Sequence, residues 1–322
     1  MKRWQHNELE SVACDFCGTH EVCAKYIRGD GMRVVECALC GLAYLNPRPL
    51  IDLIPQFYEQ DYFTGAAAAR GEGGLKLELD AASVLEGEKQ APRSIELINE
   101  RFGGLQGKDV LEIGCATGDL LAKLAQQGAR AKGLEISDFA AKIARSQGRH
   151  VTTGTIEEYV AGDPGVFDIV MAFEVIEHVI SPTRFLDNVT KLLKPEGILL
   201  LSTPNYSCSH RFGREWFGFT CSFEHLYFFN VETLRRLAHR AGCTLRYWET
   251  TLWNGGPSKV RKGFLYNSLS RFSKLSYYVM EEDKAITEAL RALWLRKLSH
   301  RPISHRPFGS GHTLSAVFLK DA

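Results

Sequence analysis

Residues 110–121 read VLEIGCATGDLL, and this stretch decides the fold. Asp109–Ile113 has the apolar, β-favouring character of a buried strand. Gly114 and Gly118 follow at once, and Asp119 opens an apolar pattern of helical period. A strand that runs through a glycine turn into a helix puts the turn at the strand's carboxyl end, where open α/β sheets bind ligands. Glycines let backbone approach a ligand closely, and N–H groups at a helix start can meet a carboxylate. The loop has neither the GxGxxG nor the GxxxxGK[ST] spacing, so the two familiar phosphate-gripping patterns do not explain it. Glu135 ends the next apolar run, 21 residues after Gly114. An acid there can accept hydrogen bonds from both hydroxyls of a ribose. Loop and acid together read as a nucleoside-type site.

From about Lys108 onward, short β-rich runs alternate with helical ones, the mark of a parallel sheet. Residues 109–113, 131–135, 150–153, 167–173, 198–202, 243–249 and 312–319 read as seven strands. Helices are expected from 119 to 127, ended by Gly128, and from a cap at Ser137 or Asp138 to Gly148. A third starts at Ser181–Pro182 and runs to about Leu193, and a fourth is capped by Asn230 and ended by Gly242. The pattern predicts an α/β, Rossmann-like, seven-stranded doubly wound sheet. A helical segment over 85–101 is expected to pack on it.

At 322 residues the chain has room for two domains. Its net charge of +1 supplies no global field toward nucleic acid. It has no run of eighteen apolar residues, so no transmembrane helix is expected. The N-terminal MKRWQHNELE is polar where a signal peptide needs an apolar stretch. A cytoplasmic protein is the expectation, and the nine cysteines then read as thiols or metal ligands.

In order, VLEIGCATGDLL, GLEIS, FDIVMAFEVIEHV and LKPEGILLLSTPN resemble the motifs of class I S-adenosylmethionine-dependent methyltransferases. The resemblance covers about residues 84–320. It implies that the sheet is a methyltransferase sheet and that the loop holds S-adenosylmethionine. By that resemblance Glu112, Gly114, Ala116 and Gly118 shape the methionine pocket, with Cys115 beside them, and Glu135 takes the ribose, followed by Ile136. Thr155 and Ile156 lie where adenine contacts fall, and many relatives carry Asp where this chain has Thr155. Phe173 and Glu174 end the fourth strand beside the reacting methyl group.

The first fifty residues carry Cys14-x2-Cys17 and Cys37-x2-Cys40, with 19 residues between the pairs. Each pair runs into a glycine, Gly18 and Gly41, as a metal knuckle does. Four thiolates from two such turns suit a tetrahedral structural Zn2+, with a redox pair or free thiols as the alternative. So small a unit buries little core, and the metal should hold it folded. The expected organisation is a zinc ribbon at 1–50 and a linker and candidate lid at 51–83. A cofactor-binding core follows at 84–250, then a basic helical insert at 251–308 and the last core strand at 309–322. Ribbon and core together resemble a bacterial group acting on sugars, polysaccharide precursors and secondary metabolites. The sugar C-methyltransferases of that group carry a longer C-terminal domain that is not evident here.

A hydroxyl acceptor needs a group to take its proton as the methyl arrives. His178, in EVIEHV, and His225, in SFEHLYFF, are the catalytic candidates, with Glu174 as the other group at hand. Each His has a bland alternative as a structural hydrogen-bonding residue. Asn205 could orient the acceptor, and Tyr58 and Tyr62 could belong to a lid. Phe223, Tyr227 and Phe228 read mostly as core. Between 251 and 306 lie eleven Lys/Arg and four acids, and residues 259–280 are apolar and basic at helical spacing. They could touch an anionic membrane or a lipid-linked substrate, or form a helical cap on the sheet edge with solvated charges. The leading expectation is O-methylation of a small molecule, sugar, glycan or lipid-linked precursor. An RNA methyltransferase gripping its substrate by the ribbon, or a sugar C-methyltransferase, is the alternative. The ribbon balances Lys25, Arg28 and Arg33 with Asp15, Glu21, Asp30 and Glu36, which argues against a nucleic-acid partner.

Overall fold

Short strands dominate the N-terminal part because each is pinned by a knuckle or a turn. The computed structural model describes residues 4–53, 93–220, 224–251 and 313–322. Leu9–Glu10 (β1) pairs antiparallel with a later strand, and Val22–Ile27 (β2), Arg33–Cys37 (β3) and Ala43–Leu45 (β4) form an antiparallel meander. Arg48–Pro49 (β5) is the partner of β1.

Arg93–Arg101 (α1) leads into the sheet, and the part of the expected 85–101 helix before residue 93 lies outside the described residues. Asp109–Ile113 (β6) is followed by Asp119–Gln126 (α2), then by Arg130–Glu135 (β7) and Asp138–Ser146 (α3). Ser137 caps α3 by accepting from Ala140 N–H. Val151–Thr153 (β8) precedes a helix that the sequence reading did not anticipate, Ile156–Ala161 (α4). Phe167–Phe173 (β9), Pro182–Leu192 (α5) and Leu193–Pro204 (β10) follow. The last of these extends beyond the expected 198–202 at both ends, and Leu193 pairs with Phe167 before a register shift at Ile198. Ser209–Phe212 (α6) and Phe217–Thr220 (α7) are single turns. They lead to Tyr227–Phe228 (β11), Val231–Arg240 (α8), Cys243–Thr251 (β12) and Thr313–Lys320 (β13).

The seven-stranded doubly wound sheet is as expected, in the order β12-β13-β10-β9-β6-β7-β8. Pairs from β10 through β8 are parallel, and β13 runs antiparallel to both β10 and β12. The order reverses between β6 and β9, so a crevice opens there at the strands' carboxyl ends, the binding position of such sheets. One face packs Ile95, Ile98, Val110, Leu124, Ala141, Ile169 and Met171 together. The other face buries Leu111, Val170, Phe185, Val189, Leu201 and Leu234.

That second core does not stop at the sheet. It continues through Trp216, Phe219, Phe228 and Phe229 into Val34, Leu42, Tyr44 and Leu45 of the cysteine-bearing meander. The small sheet is itself completed by the core, with order β11-β4-β3-β2 and Tyr227 and Phe228 opposite Tyr44 and Ala43. The described residues accordingly all belong to one compact unit. Tyr58, Tyr62, Phe223, the 51–83 linker beyond residue 53, residues 259–280 and His312 lie outside the described residues, as does the insert up to 308. Among the described residues no helix is long and apolar enough to cross a membrane.

Candidate active site

The glycine loop sits at the tip of β6, and its backbone conformations explain its composition. Gly114 (φ +73°) and Gly118 (φ +79°) occupy the left-handed region that glycine adopts without a steric penalty. A Cβ on Gly114 would lie 2.6 Å from Val175 Cγ2, so the loop packs directly on the segment after β9. Ala116 also takes a positive φ, +46°. The loop is tied to the next strand by Gly114 N–H donating to Leu134 O at 2.8 Å. Glu135 holds it from below: its carboxylate accepts from Ala116 N–H at 2.9 Å and from Ser137 N–H at 2.9 Å. One N–H per oxygen leaves each oxygen a lone pair for a ribose hydroxyl.

Glu112, on β6, is 7% exposed, and among the described residues its Oε2 has no hydrogen-bond partner. Burial, with the charges of Glu135 and Asp119 nearby, raises its pKa well above the usual carboxylate range. Burial raises that of Glu135 as well. A pocket that holds an unsatisfied acid among other acids suits a cationic ligand group. These residues fit S-adenosylmethionine, which brings an ammonium, a sulfonium and a ribose. Cys115 is buried beneath the loop, whereas Ile136 is 44% exposed, an apolar side chain at the rim. Thr155 caps α4: its hydroxyl accepts from Glu158 N–H, and Glu158 reciprocates on the Thr155 backbone. The hydroxyl also donates to the Glu158 carboxylate at 3.0 Å. Asp is an equally good cap, so the residue found in many relatives would serve the same helix. Ile156 is 7% exposed and belongs mainly to the core.

Phe173 ends β9, half-buried. Glu174 takes a φ of +53°, accepts from Ser202 Oγ at 2.7 Å and is open at the mouth of the crevice. Beyond it the chain brings together groups that are far apart in sequence. The Glu177 carbonyl accepts from Leu226 N–H (2.9 Å) and Tyr227 N–H (3.1 Å), which clamps the loop after β9 to the loop before β11. His178 and His225 thereby stack edge to face, their ring centroids 4.7 Å apart. Glu177 Oε1 lies 3.9 Å from His178 Nε2 and 4.0 Å from His225 Nε2. Burial depresses the His178 pKa to about 4, and burial, followed by the charges of His178 and Arg28, depresses that of His225. Both rings are therefore neutral at pH 7, each with one lone pair to offer. The sequence reading named both histidines but passed over Glu177; the EVIEH run was the signal that could have found it. Asn205 begins a turn, accepting from Ser207 N–H through Oδ1 and donating from Nδ2 to Cys208 Sγ.

The four cysteines of the meander converge. Cys14 Sγ and Cys40 Sγ are 3.4 Å apart, as are Cys17 Sγ and Cys37 Sγ, and all four sulfurs fall within 4.8 Å of one another. Four sulfurs on a zinc at about 2.3 Å would stand about 3.8 Å apart, so the donor set fits that ion. Gly18 and Gly41, at φ +76° and +74°, close the two knuckles. Cys40 N–H donates to Cys37 Sγ at 3.4 Å. Burial alone would push the Cys37 thiol up, but the N–H groups of Cys40 and Leu39 outweigh it and hold the pKa at about 7. Cys23 is exposed and stands outside this cluster.

This cluster is wired to the histidine site. Arg28 and Asp30 form a fully buried ion pair at 2.5 Å, and Arg28 Nη1 donates to the His225 carbonyl at 3.1 Å. Leu45 N–H donates to the carbonyl of the next residue, Leu226. Asp15, inside the first knuckle, accepts from Thr183 N–H and Oγ1 at the start of α5. Arg236, on α8, donates to the Cys40 carbonyl. The cysteine-bearing sheet is thus a wall behind His225, a role that nothing in its spacing announced.

Residues 88–247 match a family model described as a methyltransferase domain. Among curated proteins, the ubiquinone biosynthesis O-methyltransferase of Sodalis glossinidius is 34% identical over 122 residues, covering 35% of this chain and 48% of that protein. The one from Escherichia coli O9:H4 is 33% identical over 141 residues, covering 42% and 57%. The chain spans about half the length of the curated relatives it matches. Among solved structures, the magnesium protoporphyrin IX methyltransferase of Synechocystis PCC 6803 overlays with a TM-score of 0.48 at 14% identity, over 84% of this chain and 99% of that one.

Proposed function

Starting from a methyltransferase domain at residues 88–247, we propose that the protein is an S-adenosylmethionine-dependent methyltransferase acting on a hydroxyl of a small molecule, with a structural zinc in its four-cysteine cluster. The observation that carries this reading is the Glu135 carboxylate beneath the Gly114–Gly118 loop, with the unsatisfied Glu112 behind it. The cofactor supplies an electrophilic methyl group on a sulfonium. The protein supplies the rest. The glycines let backbone come close, Glu135 offers its free lone pairs to the ribose hydroxyls, and Glu112 offers Oε2 to an ammonium group.

The choice of oxygen as the methyl acceptor draws on the relatives' own description as O-methyltransferases. It also draws on two neutral imidazoles, His178 and His225, packed edge to face on the segment after β9 whose Val175 touches Gly114. His178, His225 and Glu174 are the groups to receive the acceptor's proton. Positioning carries much of the rate in such a transfer, because an in-line nucleophile held close replaces a bimolecular encounter.

Calorimetry with S-adenosylmethionine and S-adenosylhomocysteine tests the reading. Wild type should bind both, and Glu135→Ala should lose at least tenfold in affinity, about 1.4 kcal/mol. Absence of binding, or unchanged affinity in the variant, would end it. Methyl transfer to phenols, catechols, sugar nucleotides, glycans and RNA then fixes the acceptor, and turnover confined to RNA would replace the small-molecule reading.

A further inference from the structure

Glu177 is 1% exposed, and among the described residues neither of its carboxylate oxygens has a well-formed hydrogen bond. An orphaned acid at that depth costs several kcal/mol unless something compensates it. Methyl transfer gives this side chain no task, since Glu174 already lines the crevice ahead of it. Glu177 faces two imidazoles, along with the Thr203 hydroxyl and the carboxyls of Glu174 and Glu224. The nearest nitrogens lie at 3.9 and 4.0 Å from Oε1, beyond hydrogen-bond reach yet close to the spacing of ligands that share one ion. One ligand atom from each of Glu177, His178 and His225 lies within 4.8 Å of the other two.

The surroundings fit ligation. His225 Nδ1 sits 3.3 Å from the Gly218 carbonyl. With its proton on Nδ1 the ring donates there and turns the Nε2 lone pair toward Glu177. A backbone carbonyl holding the second nitrogen in this way is the usual support of a metal-bound histidine. The three ligands are fixed by the Glu177 carbonyl's bonds to Leu226 and Tyr227 and by the Arg28 bond to His225. A preformed set of this kind needs little reorganisation.

We propose that Glu177, His178 and His225 bind a divalent first-row transition ion, a second metal site distinct from the four-cysteine cluster. Two imidazoles and one carboxylate select such an ion over Mg2+ or Ca2+ and leave it open positions. The segment bearing Glu177 abuts the glycine loop through Val175. An acceptor hydroxyl reaching such an ion would lose its proton more readily than in water, and with both imidazole lone pairs on the ion Glu174 is the group left to receive it. That consequence rests on the methyl-transfer reading; metal uptake does not, and it is measured without turnover.

Mn2+ is the probe, because it disfavours the thiolates of the other cluster. Protein purified with its zinc is titrated with Mn2+ and followed by electron paramagnetic resonance. One Mn2+ per chain should bind. Glu177→Gln and His225→Gln should each weaken it at least tenfold, while zinc content and S-adenosylhomocysteine affinity stay as in wild type. Should either variant fail to fold, pulsed resonance on wild type decides, and bound Mn2+ should show coupling to imidazole nitrogen. No uptake by wild type, uptake without nitrogen coupling, or uptake unchanged in both folded variants would overturn the proposal. Loss of S-adenosylhomocysteine binding in wild type would instead count against the methyltransferase reading alone.

Discussion

Gly114 meets two constraints at once, and they can be separated. Its φ of +73° would cost an L-residue about 1–2 kcal/mol. The Cβ of an alanine would also sit 2.6 Å from Val175 Cγ2, an overpacking of about 1–3 kcal/mol. Gly114→Ala should therefore lower stability by both amounts, and adding Val175→Ala should return the second but not the first. Urea unfolding of the two single variants and the double variant measures the coupling. Strictly additive effects would mean that the loop does not rest on Val175. At this scale the glycine loop, Glu135 and the four cysteines were legible in the sequence, because short spacings carry their geometry. The pairing of His178 with His225 was not, because the chain between them folds away and returns. Glu177 fixes that return through its backbone carbonyl, an atom that no side-chain pattern reports.

Among elements, the strands were the legible part. Parallel strands buried on both faces read as continuous apolar runs, as in FDIVMAF at β9. The short α4, IEEYVA, is too brief for a helical period to show, although Thr155-x-x-Glu158 is a capping box in plain view. The least legible feature was the partnership of the cysteine-bearing sheet with the core, which rests on β4 meeting β11 and on Arg28. Arg28→Met should strand Asp30 as a buried unpaired charge and cost about 3–5 kcal/mol. The double variant Arg28→Met/Asp30→Asn should recover part of that loss, since Asn can still accept from Met32 N–H. Thermal unfolding of the pair tests this; equal losses in both would remove the desolvated charge as the cause. Chelating the proposed zinc should act through the same wall. We expect kcat to fall more than S-adenosylhomocysteine affinity, because the wall holds His225 while the glycine loop lies beyond it. Equal falls in the two would mean that the wall supports the whole core alike.

Across the whole molecule, ionic contacts close the sheet's amino-terminal edge. Arg130 and, after it, Lys194 hold the Asp109 carboxyl far below the ordinary range. Burial pushes Asp168 upward, but the Asp109 N–H and Lys194 outweigh it and leave its pKa lowered. A depressed folded pKa gives stability that is fully present above the unfolded value, about 3.9, and is lost as pH falls toward the folded one. Lys194 is 35% exposed, so solvent screens much of its share at pH 7. Lys194→Met should lower the melting temperature at pH 7, and the gap to wild type should narrow below pH 4. Scans at pH 7 and pH 3 decide, and a constant gap would show that the two aspartates do not depend on this lysine.

The pairing of β4 with β11 also has a consequence for how the chain is made. Residues 4–50 leave the ribosome long before Tyr227 and Phe228, so the nascent small sheet waits with one edge open and Val34, Tyr44 and Leu45 uncovered. During that interval the two knuckles have only each other, and the ion we assign to them is what would keep the segment from wandering. Metal supply at the moment of synthesis, more than in the finished protein, should then set the yield of folded chains. Zinc starvation should leave an aggregated fraction that later zinc does not recover.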